Sequence, residues 1–162
     1  MAIVGVRFDQ RLIHGQVATF WTNFLKVDRI VVLDEEVANN DMLKATLRMA
    51  VPQGVNSSII VKETFAANYT AGKYGSQRIL IVFRDMDVVT YLLDNGVEIT
   101  ELNLGNRPDK GSDTRIAKHF CVGPHEVEVI RALSAKGIHV YSQLVPQDPA
   151  YEAADLLKSA GL

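Results

Sequence analysis

Short apolar runs alternate along this chain with segments whose apolar residues recur at helical spacing. Ile3 to Val6, Ile30 to Leu33, Ile59 to Val61, Ile79 to Phe83 and Ile138 to Tyr141 are brief and rich in branched residues, and Ile99 to Leu104 reads as a further strand. Ile30 to Leu33, Ile59 to Val61 and Ile79 to Phe83 show little alternation, as expected of strands covered on both faces. Between the runs, Val17, Phe20, Trp21, Phe24 and Leu25 mark one helix face, and Leu43, Leu47 and Ala50 follow Asp41. Val88, Val89, Leu92 and Leu93 follow Asp85, Val127, Ile130 and Leu133 follow Pro124, and Ala153, Leu156 and Leu157 follow Asp148-Pro149. Acidic residues and prolines at such positions start helices, and Asn95-Gly96 and Lys136-Gly137 read as stops. The pattern predicts a doubly wound α/β fold: a mostly parallel sheet of about seven strands with helices on both faces.

Two connections stand out. A strand ends near Phe8, a turn carries Asp9 to His14, and a helix begins near Gly15. This turn leaves the carboxyl end of the first strand, where ligands of such sheets usually sit. The longest loop reads Gly105 to Asp113 and is polar. After it, His119 to Val122 reads as a short strand with no room for a crossover helix, so it is expected to run antiparallel near one edge.

The chemistry in the first turn is that of phosphoryl transfer. A neutral imidazole is a nucleophile, and an ordinary histidine pKa of ~6.5 leaves His14 mostly neutral near neutral pH. Arg11 offers a planar donor for the three equatorial oxygens of a phosphoryl group, beside amides of a helix N-terminus that attract anions. Gly15 puts no side chain in the way of a phosphate and tolerates positive φ. Asp9 either orients Arg11 or His14 or simply forms the turn. Trp21 shares the apolar helix face and reads as core. Asp34, Glu35 and Glu36 read as a solvated loop or the cap of the next helix.

Composition narrows the classes. The 162 residues suit one domain over 1–162, and the net charge of -2 comes without charge runs, which argues against nucleic acid. The one cysteine, Cys121, lies in an apolar run and reads as a buried core residue in a reducing cytoplasm. No run approaches the ~18 apolar residues of a membrane span. His119, His125 and His139 lack zinc-like spacing, so no metal and no cofactor is expected.

The stretch Val6-Arg7-Phe8-Asp9-Gln10-Arg11-Leu12-Ile13-His14-Gly15-Gln16-Val17-Ala18-Thr19, followed by Trp21, resembles the active-site signature of a known family. It is that of IIB components of the mannose/fructose/sorbose class of the bacterial sugar phosphotransferase system. The resemblance continues through Glu36-Val37-Ala38, Ile79 to Phe83, Asn95-Gly96-Val97 and Asn103-Leu104-Gly105. It implies that His14 accepts phosphate, through Nδ1, from a phosphohistidine of a IIA component. The phosphate then passes to a sugar held by the membrane IIC and IID components. It further implies a cytoplasmic protein, peripheral to the membrane through partners and often paired with a second copy. Asp9, Gly15 and Gln16 would support the phosphate. The first and fifth strands would be neighbours, bringing Asn106, Arg107 and Lys110 over His14.

Gln10, Asn106-Arg107 and Arg115 depart from the common pattern, and Gly105-Asn106 resembles the N-acetylgalactosamine branch. Two other classes share such a fold. A receiver-like regulatory domain requires an acceptor Asp after the third strand, where Val61-Lys62 stands. A nucleotide-binding module requires a glycine-rich first turn, where Gly15 is the one glycine.

Overall fold

A computed structural model describes residues 2–162, the side chains of Gln16 and Val17 excepted. Strand β1 (Ala2–Asp9) leads through the turn into helix α1 (Gly15–Leu25), then β2 (Arg29–Leu33), α2 (Glu35–Ala38), α3 (Asp41–Met49) and β3 (Asn56–Ile60). The chain continues through α4 (Lys62–Thr70), β4 (Arg78–Phe83), α5 (Asp87–Asp94) and β5 (Glu101–Asn106). It ends with β6 (Thr114–Ala117), β7 (Phe120–Val122), α6 (Pro124–Ala135), β8 (His139–Ser142), β9 (Tyr151–Glu152) and α7 (Ala153–Ser159). The main sheet has seven strands in the order β3-β2-β4-β1-β5-β8-β9, parallel except for β9.

Two apolar layers sandwich this sheet. On one face α1, α2 and α3 cover Ile30, Val32, Leu80 and Val82 with Trp21, Val37, Leu43 and Leu47. On the other, Phe65 of α4, Val89 of α5, Ile130 of α6 and Leu157 of α7 pack on Val31, Ile81, Phe83 and Leu104. Burial on both faces is why β2 and β4 read as unbroken apolar runs. The helix starts are built as the residue types suggest. Asp34 accepts from the Val37 N–H and Asn40 from the Leu43 N–H, and Asp85 accepts from the Asp87 N–H. Asp34 is therefore the cap of α2, and it also binds Arg84 at 2.6 Å.

Several elements differ from the sequence pattern, among them α2, β6 and the following three. Helix α4 was not foreseen, because it buries only Phe65 and Ala66 and so carries no apolar period. The strand at Phe120–Val122 is antiparallel, but to β6 in a separate two-stranded sheet and not at an edge of the main one. The antiparallel edge is β9, carved from the start of the segment expected to be the last helix, which begins only at Ala153.

Strand β1 lies between β4 and β5. From its end the chain turns toward β2 on one side, and from β5 it proceeds toward β8 on the other. The crevice between the carboxyl ends of β1 and β5 is thus a topological switch point, because the chain leaving β1 enters α1 on one face of the sheet and the chain leaving β5 goes on to α6 on the other.

Candidate functional site: a histidine and two arginines around one carboxylate

Phe8 anchors the end of β1, edge-on to Phe83 at 5.8 Å and to Phe120 at 5.4 Å between ring centroids. Beyond it the register with β5 slips by one residue, so that Phe8 faces Leu104 and Asp9 faces Asn106. The extra residue is Gly105, and the guanidinium of Arg7 lies against it so closely that a Cβ there would overlap Arg7.

The turn is fixed by its own backbone and by two apolar anchors. The Gln10 N–H donates to the Asn106 carbonyl at 2.8 Å and the Leu12 N–H to the Asp9 carbonyl at 2.9 Å. Leu12 and Ile13 are buried against α1 and β2. Leu12 holds φ +59, a left-handed conformation that costs a branched side chain energy and persists here because burial enforces it. With Leu12 and Ile13 turned inward, Arg11 is directed outward, its side chain 40% exposed.

Asp9 is the hub, only 1% exposed. Its Oδ1 accepts from the Arg11 backbone N–H at 3.0 Å and from Arg11 Nε at 3.1 Å, and its Oδ2 from Arg11 Nη2 at 3.2 Å. The same Oδ2 accepts from Arg7 Nε at 3.4 Å and Nη2 at 3.3 Å. Asp9 is therefore both a turn former and the orienter of Arg11. Among the described residues, Nη1 of Arg11 meets no partner and is free to bind an anion.

His14 occupies the residue before α1 and is half-buried. Its Nε2 is enclosed and has no hydrogen-bond partner among the described residues. Burial lowers its pKa below the ordinary histidine value, Arg11 and Arg7 lower it further, and Asp9 opposes them. The direction of that shift favours the neutral form of the ring. The first turn of α1 has no acidic residue, and among the described residues the His14 side chain makes no capping hydrogen bond. Gly15 has φ +37 and open space where a Cβ would project.

The structure thus brings together Asp9, Arg11, His14 and Gly15, with Asn106 joined through its backbone. Gln16 is the second residue of α1, but its side chain lies outside the described residues. Lys110 lines a cavity of about 420 Å³ beyond β2, β3 and β4, together with Gln10, Lys62, Arg84 and several carboxylates. Arg107 is a correction. It is 7% exposed and tied to Asp113 and Glu126 at 2.7 Å each and to the Cys121 carbonyl at 2.9 Å. Two carboxylates, a carbonyl and burial engage its guanidinium, so it is not available to an incoming phosphate. Gly105 and Asn106 also belong to β5, so the loop starts later than its composition suggests.

Cys121 is buried and free, and Trp21 is buried with its Nε1–H donating to the Leu144 carbonyl at 2.9 Å. His125 and His139 pair on the surface with Asp87 and Glu152. One residue of the site escaped the sequence reading: Arg7, 3% exposed. Its signal is a charge inside an apolar strand pattern, with a tolerant glycine on the neighbouring strand.

A doubly wound sheet with a histidine and an arginine in the first switch-point turn offers a site suited to an anion. Residues 3–162 match the family described as the PTS system sorbose subfamily IIB component, and the chain belongs to that family. It is 33% identical over 157 residues to the mannose-specific EIIAB component of Escherichia coli K12, covering 97% of this chain and 49% of that protein. The chain spans about half the length of that relative. It resembles the IIBSor domain of the sorbose permease from Klebsiella pneumoniae with a TM-score of 0.93, at 27% identity and 98% coverage of both chains. The N-acetylgalactosamine-specific IIB component 1 from Escherichia coli also superimposes, with a TM-score of 0.86 at 26% identity over 93% and 98% of the chains. The likeness is spread over several sugar branches and singles out none.

Proposed function

We propose that the chain is a phosphocarrier whose His14 takes a phosphoryl group from a phosphohistidine of a IIA component and yields it to a sugar held by membrane IIC and IID components. The observation that carries this reading is the pairing of a neutral imidazole with an arginine whose outer edge is free, at an uncapped helix start with no acidic residue. The Nδ1 lone pair forms the new phosphorus–nitrogen bond while the bond to the donor ring breaks and its electron pair returns to that ring. Enclosure of Nε2 supports Nδ1 as the attacking atom. Arg11 and the first amides of α1 hold the equatorial oxygens as charge spreads over them. In the onward step a sugar hydroxyl takes the group and its proton ends on the released imidazole. The joint A and B naming of the mannose-specific relative supports a IIA partner. Among the described residues no helix is long and apolar enough to cross a membrane, in keeping with membrane steps carried by other components.

The test is incubation with a phosphorylated IIA component and mapping of the modified residue. His14→Ala accepts no phosphate, whereas Cys121→Ser accepts it normally. Phosphorus–nitrogen coupling in labelled protein identifies the ring nitrogen. Acceptance by His14→Ala, or its loss in Cys121→Ser, overturns the assignment.

A further inference from the structure

Arg7 is a costly residue to keep. A guanidinium 3% exposed loses its hydration, and burial pulls its pKa down from the ordinary arginine value. Among the described residues its one carboxylate partner, Asp9, is shared with Arg11. Its other contacts are neutral: the Gln143 carbonyl at 2.9 Å, the Trp21 ring at 5.6 Å from the centroid, and the backbone at Gly105. Tyr141, which bonds Glu101 at 3.5 Å, is pushed up to about 12 by burial and by Glu101, so it stays neutral. The cluster Arg7, Asp9 and Arg11 therefore sums to one excess positive charge. An apolar side chain would fill such a place in a core at lower cost than a half-compensated ion.

We propose, building on the phosphocarrier reading, that Arg7 is a positioning residue: it shares the Asp9 carboxylate so that Arg11 is oriented without being neutralised. Without Arg7, Asp9 would face Arg11 alone, and the fork that holds Arg11 would also cancel its pull on a phosphoryl group. With Arg7 present, Asp9 acts as a hinge pin between two cations. The charge left over is delivered to the open Nη1 edge of Arg11 and to the environment of His14. Gly105 is part of the device, because only a residue without a Cβ leaves room for the Arg7 guanidinium at the register slip. Its φ is not in the left-handed range, so the demand there is for space.

The test uses the full chain and two readouts, titration of the His14 ring by nitrogen-15 NMR and single-turnover transfer from phosphorylated IIA. In Arg7→Met the His14 midpoint rises by about half a pH unit or more, because a cation facing it is gone. Transfer slows by about tenfold or more. Arg7→Lys, which restores the charge, brings the midpoint back toward the parent value. Gly105→Ala, which displaces the guanidinium without removing it, shifts both readouts in the same direction as Arg7→Met. If folded Arg7→Met titrates at the parent midpoint, Arg7 is only structural and the proposal is overturned. Should Arg7→Met not fold, Gly105→Ala decides by the same two outcomes. The titration needs no phosphate, so its failure leaves the phosphocarrier reading standing, and absence of phosphate on His14 in the parent protein leaves the titration interpretable.

Discussion

Arg107 Nη1 and Asp113 Oδ2 lie 2.7 Å apart and clasp the loop that follows β5. The second arm of Arg107 reaches Glu126, whose Oε1 also accepts from the Gly123 N–H at the start of α6. Arg107→Met leaves two mostly buried carboxylates without their cation. Denaturant unfolding is expected to show a loss of about 3–5 kcal/mol. Phosphate acceptance per folded molecule stays within about tenfold of the parent, since the Arg107 guanidinium is taken up by Asp113, Glu126 and the Cys121 carbonyl. A collapse of acceptance in protein that unfolds normally would restore Arg107 to the phosphate site.

The pH dependence follows from His14. In the unfolded chain a histidine binds its proton near pH ~6.5. In the fold, burial first and Arg11 next lower that value. Below pH ~6.5 the unfolded chain takes up a proton that the native ring resists, so the contribution to stability is whole above ~6.5 and is lost as pH falls through the native value. His14→Ala is therefore expected to be less acid-sensitive than the parent in urea unfolding followed from about pH 5 to about pH 8. Acceptance of phosphate by the parent should likewise persist to lower pH than an ordinary histidine allows. An acceptance midpoint above ~6.5 contradicts the neutral-ring account.

Trp21 links α1 to the segment after β8 through its bond to the Leu144 carbonyl, and its face lies near Arg7. Trp21→Phe keeps an aromatic ring but leaves that carbonyl unbonded. A loss of about 1–3 kcal/mol is expected. Amide exchange at Gln143 and Leu144 should quicken more than exchange within β2 and β4. Uniform quickening would mean that Trp21 serves the core alone.

The central strands were legible because burial on both faces writes an unbroken apolar run, as in Ile79 to Phe83. The turn from Asp9 to His14 was legible because the apolar period changes there from strand to helix. Helix α4 was not, since two buried residues define no stripe, and β9, of two residues, carries no period at all. Arg107 was misread because a basic residue in a polar loop has no address until Asp113 and Glu126 fold around it. Arg7 failed for the same reason in reverse. Its burial depends on Gly105, a neighbour supplied by strand pairing and distant in sequence.

Arg11 separates catalysis from docking. Asp9 holds its Nε and Nη2, so the outer edge acts on whatever approaches His14. If that is a phosphoryl group in transit, the contact is strongest when charge is spread over the equatorial oxygens. Arg11→Ala should then slow single-turnover transfer by about a hundredfold or more. Affinity for unphosphorylated IIA depends on shape, apolar contact and rim charge over a wider surface. Calorimetry should find it within about tenfold, or ~1.4 kcal/mol, of the parent. Arg11→Lys should recover little, since an ammonium keeps the charge but can neither grip both oxygens of Asp9 nor present a planar edge. Affinity that collapses while transfer at saturating IIA stays normal would make Arg11 a docking residue, and the assignment of a phosphate contact to its outer edge would then be wrong.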